Sequence, residues 1–270
     1  VVAVTIPRTT LLKVNCAHPW LSDARARLAL SLSLDRVGMA GALMRDPELA
    51  ATQLFPPTLV QWHRSSIEPL HGDPARAREL LAQLGWTRGE DGILTRAGQR
   101  FVVSLRTFPD RPELPLLATA IQEQFRQVGI ALKVRIGNSG DIPLAHRDGT
   151  LELGLAPRSF GQTPDPLATV LQDYGGGGGD WGAMNWRDAR LDAALDALRS
   201  TTDASRTATL RAAVASILQE QLPVIPVLWY RQNAAVSERV EGVSIDPLER
   251  SYRLTRIAWR AGVSARSDHA

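Results

Sequence analysis

The chain is poor in several things that commonly mark a function. It has one cysteine in 270 residues, Cys16, so it can form neither an internal disulfide nor a thiolate metal cluster. Its only lysines are Lys13 and Lys133, so the positive charge is almost wholly arginine. Those arginines are scattered along helical stretches among acids, and the net charge is only +3; this is not a nucleic-acid footprint. No apolar run approaches the roughly 18 residues that a membrane span requires. Phosphate-loop and dinucleotide glycine fingerprints are missing, as is the G-x-S-x-G elbow of serine hydrolases. His18, His63, His71, His146 and His269 lie far apart without metal-ligand spacing, so each reads as a solvated or packed histidine. Cys16 and His18 would share a strand face, but no acid partners them as a nucleophilic dyad requires. Nothing demands an enzyme, and no cofactor or metal is implied.

What is there is ordinary globular composition, with 44% hydrophobic and 22% charged residues, in a chain long enough to bury a real core. The opening stretch VVAVTIPRTTLLKVN reads as one or two strands rather than a signal peptide. Without an initial Met, the chain is expected to be a fragment or a processed form. Ser22 is a plausible cap for one helix running past Leu32, weakened by Gly38 and Gly41. From Pro47 to Gly72 the sequence is irregular and reads as a long loop packed by its own aromatics. Asp73-Pro74 opens a helix that Gly85 closes, with Trp86 behind it. Strand 101–107, helix 114–128 and strand 130–136 form a βαβ unit with parallel strands. Helices are expected from Asp188 and from Asp203. VIPVLWY then reads as a strand that Pro226 confines to an edge or a bulge. Two short strands follow before Trp259, and residues 261–270 read as a disordered tail.

The stretch LELGLAPRSFGQTPDP, Leu151 to Pro166, is the one that points to a site. It alternates as a strand and is expected to break at Pro157 into a loop carrying Arg158, Ser159, Phe160, Gln162 and Asp165. The bland alternative is a surface connection. Downstream, Trp181, Asn185, Trp229, Tyr230 and Arg231 supply the aromatic and polar groups a small-molecule cleft needs. Trp186 reads as core, and for Trp229, Tyr230 and Arg231 core and cleft wall remain open. The five glycines 175–179 are expected to make a mobile, hinge-like flap.

Six motifs, in order from Ser22 to Trp229, carry a family resemblance: SDARARLALSLSLDR, DPARARELLAQLGW, GILTRAGQRFVVSL, IQEQFRQVGIALKV, MNWRDARLDAALDAL and ILQEQLPVIPVLW. Together they resemble the peptide/nickel (oligopeptide-type, family 5) extracellular solute-binding proteins of ABC importers. The resemblance implies an α/β fold, a periplasmic-binding-protein-like type II lobe with a mixed sheet flanked by helices. It implies a second ligand-binding lobe at 15–222, a hinge or first-lobe strand at 1–14, return strands at 223–260, and a first lobe that is absent. The implied function is non-catalytic capture of a peptide, nickel or metal-chelate or opine-like solute by closure of two lobes. The partners would be that solute, the importer permease and its ATPase subunits, and the location periplasmic or extracytoplasmic. An alternative with the same fold is the ligand-sensing domain of a bacterial transcription regulator, which would be cytoplasmic; a further rival is an unfamiliar hydrolase.

In the family's pattern Phe160 stands where nickel binders have a tryptophan, and Gln162 where peptide binders have an aspartate for the peptide amine. Residues 173–185 contain no histidine where nickel binders place one over the metal. Arg158 is therefore expected to clamp a ligand carboxylate, with Phe160 packed on it and Asp165 capping the next helix. The loop is expected to be exposed and, without a first lobe, to bind weakly.

Overall fold

The computed structural model describes residues 1–261. The opening stretch forms one continuous strand of 13 residues, β1 (Val2–Val14). Two helices follow where the sequence reads as one, α1 (Ala24–Leu32) and α2 (Arg36–Met44). Asp23, not Ser22, caps the first by accepting from the Arg25 N–H, and Asp35 caps the second by accepting from the Gly38 N–H. An aspartate inside a helical run offers the backbone a competing acceptor, so the chain ends one helix and starts another there. Residues 50–72 hold little regular structure, and the Phe55 and Trp62 rings pack 5.1 Å apart, as the aromatic loop reading requires. Next come α3 (Pro74–Gln83), capped by Asp73, and a meander of β2 (Thr87–Arg88), β3 (Leu94–Arg96) and β4 (Gln99–Arg100).

β5 (Val102–Thr107), α4 (Glu113–Gln127) and β6 (Ala131–Ile136) form the expected βαβ unit with parallel strands. α5 (Asp141–Arg147) leads to β7 (Leu153–Ser159), then α6 (Leu167–Tyr174), α7 (Ala189–Ser200) and α8 (Ala204–Gln221). β8 (Val224–Ala234) closes the main sheet, and β9 (Val240–Glu241) pairs with β10 (Ala258–Trp259). The expected tail lies, from residue 262 on, outside the described residues.

The main sheet has the order β6-β5-β7-β1-β8. β5 is parallel to both of its neighbours, and β1 is antiparallel to both of its own. β1 is thus an interior strand of this body, with Leu11, Leu12 and Val14 buried, and no break in the fold falls at residue 14. Pro226 lies, as expected, on the edge strand β8 opposite a register shift in β1.

β7 does not break at Pro157 as expected; it runs on to Ser159, with Pro157 paired to Thr10. The Phe160 N–H donates to the Pro7 carbonyl, so by alternation the Pro157 nitrogen faces β5. β5 pairs with β7 only at Leu153 and Gly154, so the missing N–H leaves no ladder bond unmade.

Buried arginines tie the layers. Arg27 donates from Nε and Nη2 to the Gln221 carbonyl at 2.9 and 2.8 Å, satisfying an acceptor that the end of α8 leaves open. Arg36 joins α2 to β8 through the Pro226 carbonyl at 2.8 Å, and burial lowers its pKa to about 9. Trp86 stacks on Phe101 at 4.4 Å in one continuous core.

The β7 geometry predicts unequal costs along one strand. Leu155→Ala should lose about 2–5 kcal/mol of unfolding free energy in urea titrations. Pro157→Ala should change it by less than about 1 kcal/mol, since no ladder bond depends on that nitrogen.

Candidate functional site

The chain leaves β5 for β6 on one side and reaches β7 on the other. In open α/β sheets a crevice forms at such a point, outside the carboxyl ends of the strands. Here Arg111, between β5 and α4, and Glu113, the first residue of α4, meet Tyr230 of β8. The Tyr230 hydroxyl donates to Glu113 Oε1 at 2.8 Å and accepts from Arg111 Nη1 at 3.3 Å. The Arg111 guanidinium carbon lies 5.5 Å from the ring centroid, and that of Arg8 5.1 Å. Arg8 is buried and pairs with Glu249. Burial, then the Glu113 carboxylate, pushes the Tyr230 phenol up from its ordinary value, so it stays a neutral donor at neutral pH. Arg111, Glu113 and Tyr230 all remain part-exposed. The cluster presents a guanidinium, a carboxylate and an aromatic hydroxyl within one hydrogen-bonded set.

Tyr230 is the residue of this cluster that the sequence flagged. Arg8, Arg111 and Glu113 were missed because they lie in β1 and the β5–α4 connection, far from Tyr230 in sequence. The Arg111-Pro112-Glu113 run at a helix start was the available signal.

The structure places the other predicted residues differently. Arg158 is not a free clamp: its Nε and Nη2 bond to Oδ2 and Oδ1 of Asp173 at 2.5 and 3.0 Å. Their side chains are 12% and 1% exposed, so this bidentate pair is internal. Burial pushes the Asp173 carboxyl up, and Arg158 opposes that shift. Phe160 is fully buried against Phe55, with centroids 5.3 Å apart, and does not face a ligand. Ser159 is part-exposed at the end of β7. Gln162, Thr163 and Pro164 are exposed as expected, whereas Gly161 is buried against Pro7 and Leu248. Asp165 precedes the N-cap position of α6, which Pro166 holds without a side-chain bond; its Oδ1 accepts from the Leu167 N–H at 3.0 Å and from Trp62 Nε1 at 3.2 Å. Trp229 is core, its Nε1 donating to the Gln53 carbonyl at 3.1 Å. Arg231 pairs with Asp46 at 2.5 Å. Trp186 is buried core, as read from the sequence.

Asn185 lies away from the Tyr230 cluster. Asn185 donates to Asn15 Oδ1 at 2.9 Å, beyond the far end of β1. Tyr230 pairs with Ile6, and nine strand residues span about 30 Å. The glycines 175–179 do not form a free flap either. The Gly179 N–H donates to the Ala183 carbonyl at 3.1 Å, and the Ala183 N–H donates to the Asp173 carbonyl at 2.8 Å. Gly178, at φ +106°, lies where a Cβ would meet the Ala183 carbonyl oxygen at 2.0 Å; the glycines serve close approach. Among the described residues no group of three or more His, Cys, Asp or Glu side chains is placed to hold a metal, and no helix is long and apolar enough to cross a membrane.

The family model for bacterial extracellular solute-binding proteins, family 5 (middle region), matches residues 1–181. The chain belongs to this family. Among curated relatives, a dipeptide-binding protein of Pseudomonas aeruginosa is 26% identical over 244 residues, covering 88% of this chain and 43% of that protein. The nickel-binding periplasmic protein of Escherichia coli is 26% identical over 162 residues, covering 59% of this chain and 30% of the relative. The chain thus spans less than half the length of these curated relatives. The oligopeptide-binding protein AppA of Bacillus subtilis, solved with a nonapeptide, superposes with a TM-score of 0.83 at 18% identity, over 96% of this chain and 52% of that one. NikA of Brucella suis, solved with Fe(III)-EDTA, gives 0.83 at 20% identity over the same shares. These likenesses establish the type II periplasmic-binding-protein-like fold, α/β with a mixed sheet flanked by helices, that the motifs led us to expect.

If Arg158 and Asp173 form a structural pair, removing one partner strands a buried charge. Arg158→Ala should therefore cost about 3–5 kcal/mol of unfolding free energy, and the double variant Arg158→Met/Asp173→Leu should recover most of it in the same denaturant titration.

Proposed function

We propose that this chain forms a ligand-binding lobe of a non-catalytic solute receptor serving an ABC importer outside the cytoplasm. Sequence beyond this chain supplies the facing lobe, and closure of the two buries the solute in the crevice above β5 and β7. The permease and its ATPase subunits then read the closed form. The observation that carries this reading is the part-exposed Arg111–Tyr230–Glu113 set at the point where the strand order reverses. A guanidinium and a carboxylate on either side of an aromatic hydroxyl suit a zwitterionic solute, one with both a carboxylate and an amine. Short peptides and amino-acid metal chelates share that chemistry, and relatives of this chain are named for peptides and for nickel. Arg111 is therefore a better candidate than Arg158 for the carboxylate contact, because Arg158 already holds a carboxylate in Asp173. The regulator alternative draws no support from the relatives, which are named as binding proteins.

Calorimetry on the full-length protein with a panel of dipeptides and nickel–histidine tests the site. Arg111→Ala should weaken every ligand the wild type binds by at least about tenfold, or about 1.4 kcal/mol. Unchanged affinity across those ligands would remove Arg111 from the site.

A further inference from the structure

Arg8 stands at an irregularity in the main sheet. The pairing of β1 with β8 shifts between Ile6 and Thr9, so Pro7 and Arg8 form a bulge, while on its other side Arg8 lies opposite Ser159 at the end of β7. Bulges re-aim side chains, and this one lays the Arg8 guanidinium on the ring of Tyr230. The guanidinium carbons of Arg8 and Arg111 lie 5.1 and 5.5 Å from that one ring centroid, and hence within about 11 Å of each other. Arg8 is 8% exposed, and among the described residues its guanidinium donates to one acceptor, a carboxylate oxygen of Glu249. A guanidinium carries five N–H donors. The others on Arg8 are not sealed from water, so a positioned cation keeps donors free beside the Tyr230 cluster.

Glu249 holds this place lightly. It comes from the stretch between β9 and β10, where residues 247–260 are exposed apart from the half-buried Leu248 and Ile257. Its side chain is 32% exposed, and its backbone sits at φ +56°, in the left-handed region that residues other than glycine rarely adopt. An ion pair that reaches water on a sparsely packed segment contributes little to stability and is readily exchanged.

We propose that Glu249 stands in for a solute anion: Arg8 is a second carboxylate site of the crevice, which Glu249 occupies until a solute with two anionic groups displaces it. This rests on the crevice reading above and narrows its solute class. One carboxylate of such a solute meets Arg111 and the other meets Arg8. Exchanging one carboxylate for another on Arg8 leaves no buried charge without a partner. A solute with a single carboxylate leaves Glu249 where it is. Acidic dipeptides and polycarboxylate chelates belong to the first class, and neutral dipeptides to the second.

Calorimetry on the full-length protein with Ala-Glu, Ala-Ala and nickel–histidine tests this. Glu249→Gln removes the internal competitor, so the preference for Ala-Glu over Ala-Ala should rise at least about tenfold above that of the wild type. Arg8→Lys in the Glu249→Gln background keeps the charge but loses the planar fork, and should give back most of that rise. An unchanged preference in Glu249→Gln would overturn the second site, while continued binding of Ala-Ala would leave the crevice reading standing. A rise that survives Arg8→Lys undiminished would assign it to long-range charge and overturn the second site as well. If nickel–histidine binds and neither peptide does, the two-carboxylate role falls and the crevice stands; if nothing binds, both fall.

Discussion

β1 is the strand on which the rest of the molecule depends. It pairs with β7 on one side and β8 on the other, and so joins the first residues of the chain to the central and late segments in one sheet. Because both neighbours run antiparallel to it, its amino-terminal half lies beside the carboxyl ends of β7 and β8. That register brings Arg8, Tyr230 and the β5–α4 residues Arg111 and Glu113 to one edge. It also sends Lys13 towards the opposite end, beneath the glycine-rich loop. The Tyr230 cluster and the Lys13 contacts are therefore separate places organised by one strand.

The electrostatics separate structural from available charge. Arg158 and Asp173 satisfy each other away from water, and Arg27 and Arg36 donate to the carbonyls of Gln221 and Pro226. Arg111 and Glu113 share a hydroxyl and stay part-exposed, so a ligand can compete for them. This sorting, rather than the count of arginines, locates the candidate site. It also explains why a polar loop after a strand was a misleading guide: Phe160 and Arg158 of that loop face inward, where Phe55 and Asp173 wait for them.

Local chemistry was readable wherever it is settled within a few residues. The Asp73-Pro74 helix start, the βαβ unit of β5, α4 and β6, and the edge placement of Pro226 all rest on propensities and periodicities that span one element or two. The six motifs in order carried the family as well. The strand through Pro157 was not readable, because its tolerance depends on where β5 stops pairing, which is a fact about another strand. Nor was the glycine loop, whose order comes from a lysine more than 160 residues away in the chain.

By itself, then, the sequence determined most of the elements, the fold class and the family, because caps, turns and hydrophobic periods act over short range. Only the tertiary structure decided which charged side chains are already partnered and which remain open to a ligand. Whether Arg158 meets Asp173 or Arg111 meets Tyr230 is set by strand order and register, and a guanidinium carries no local mark of the partner it will find.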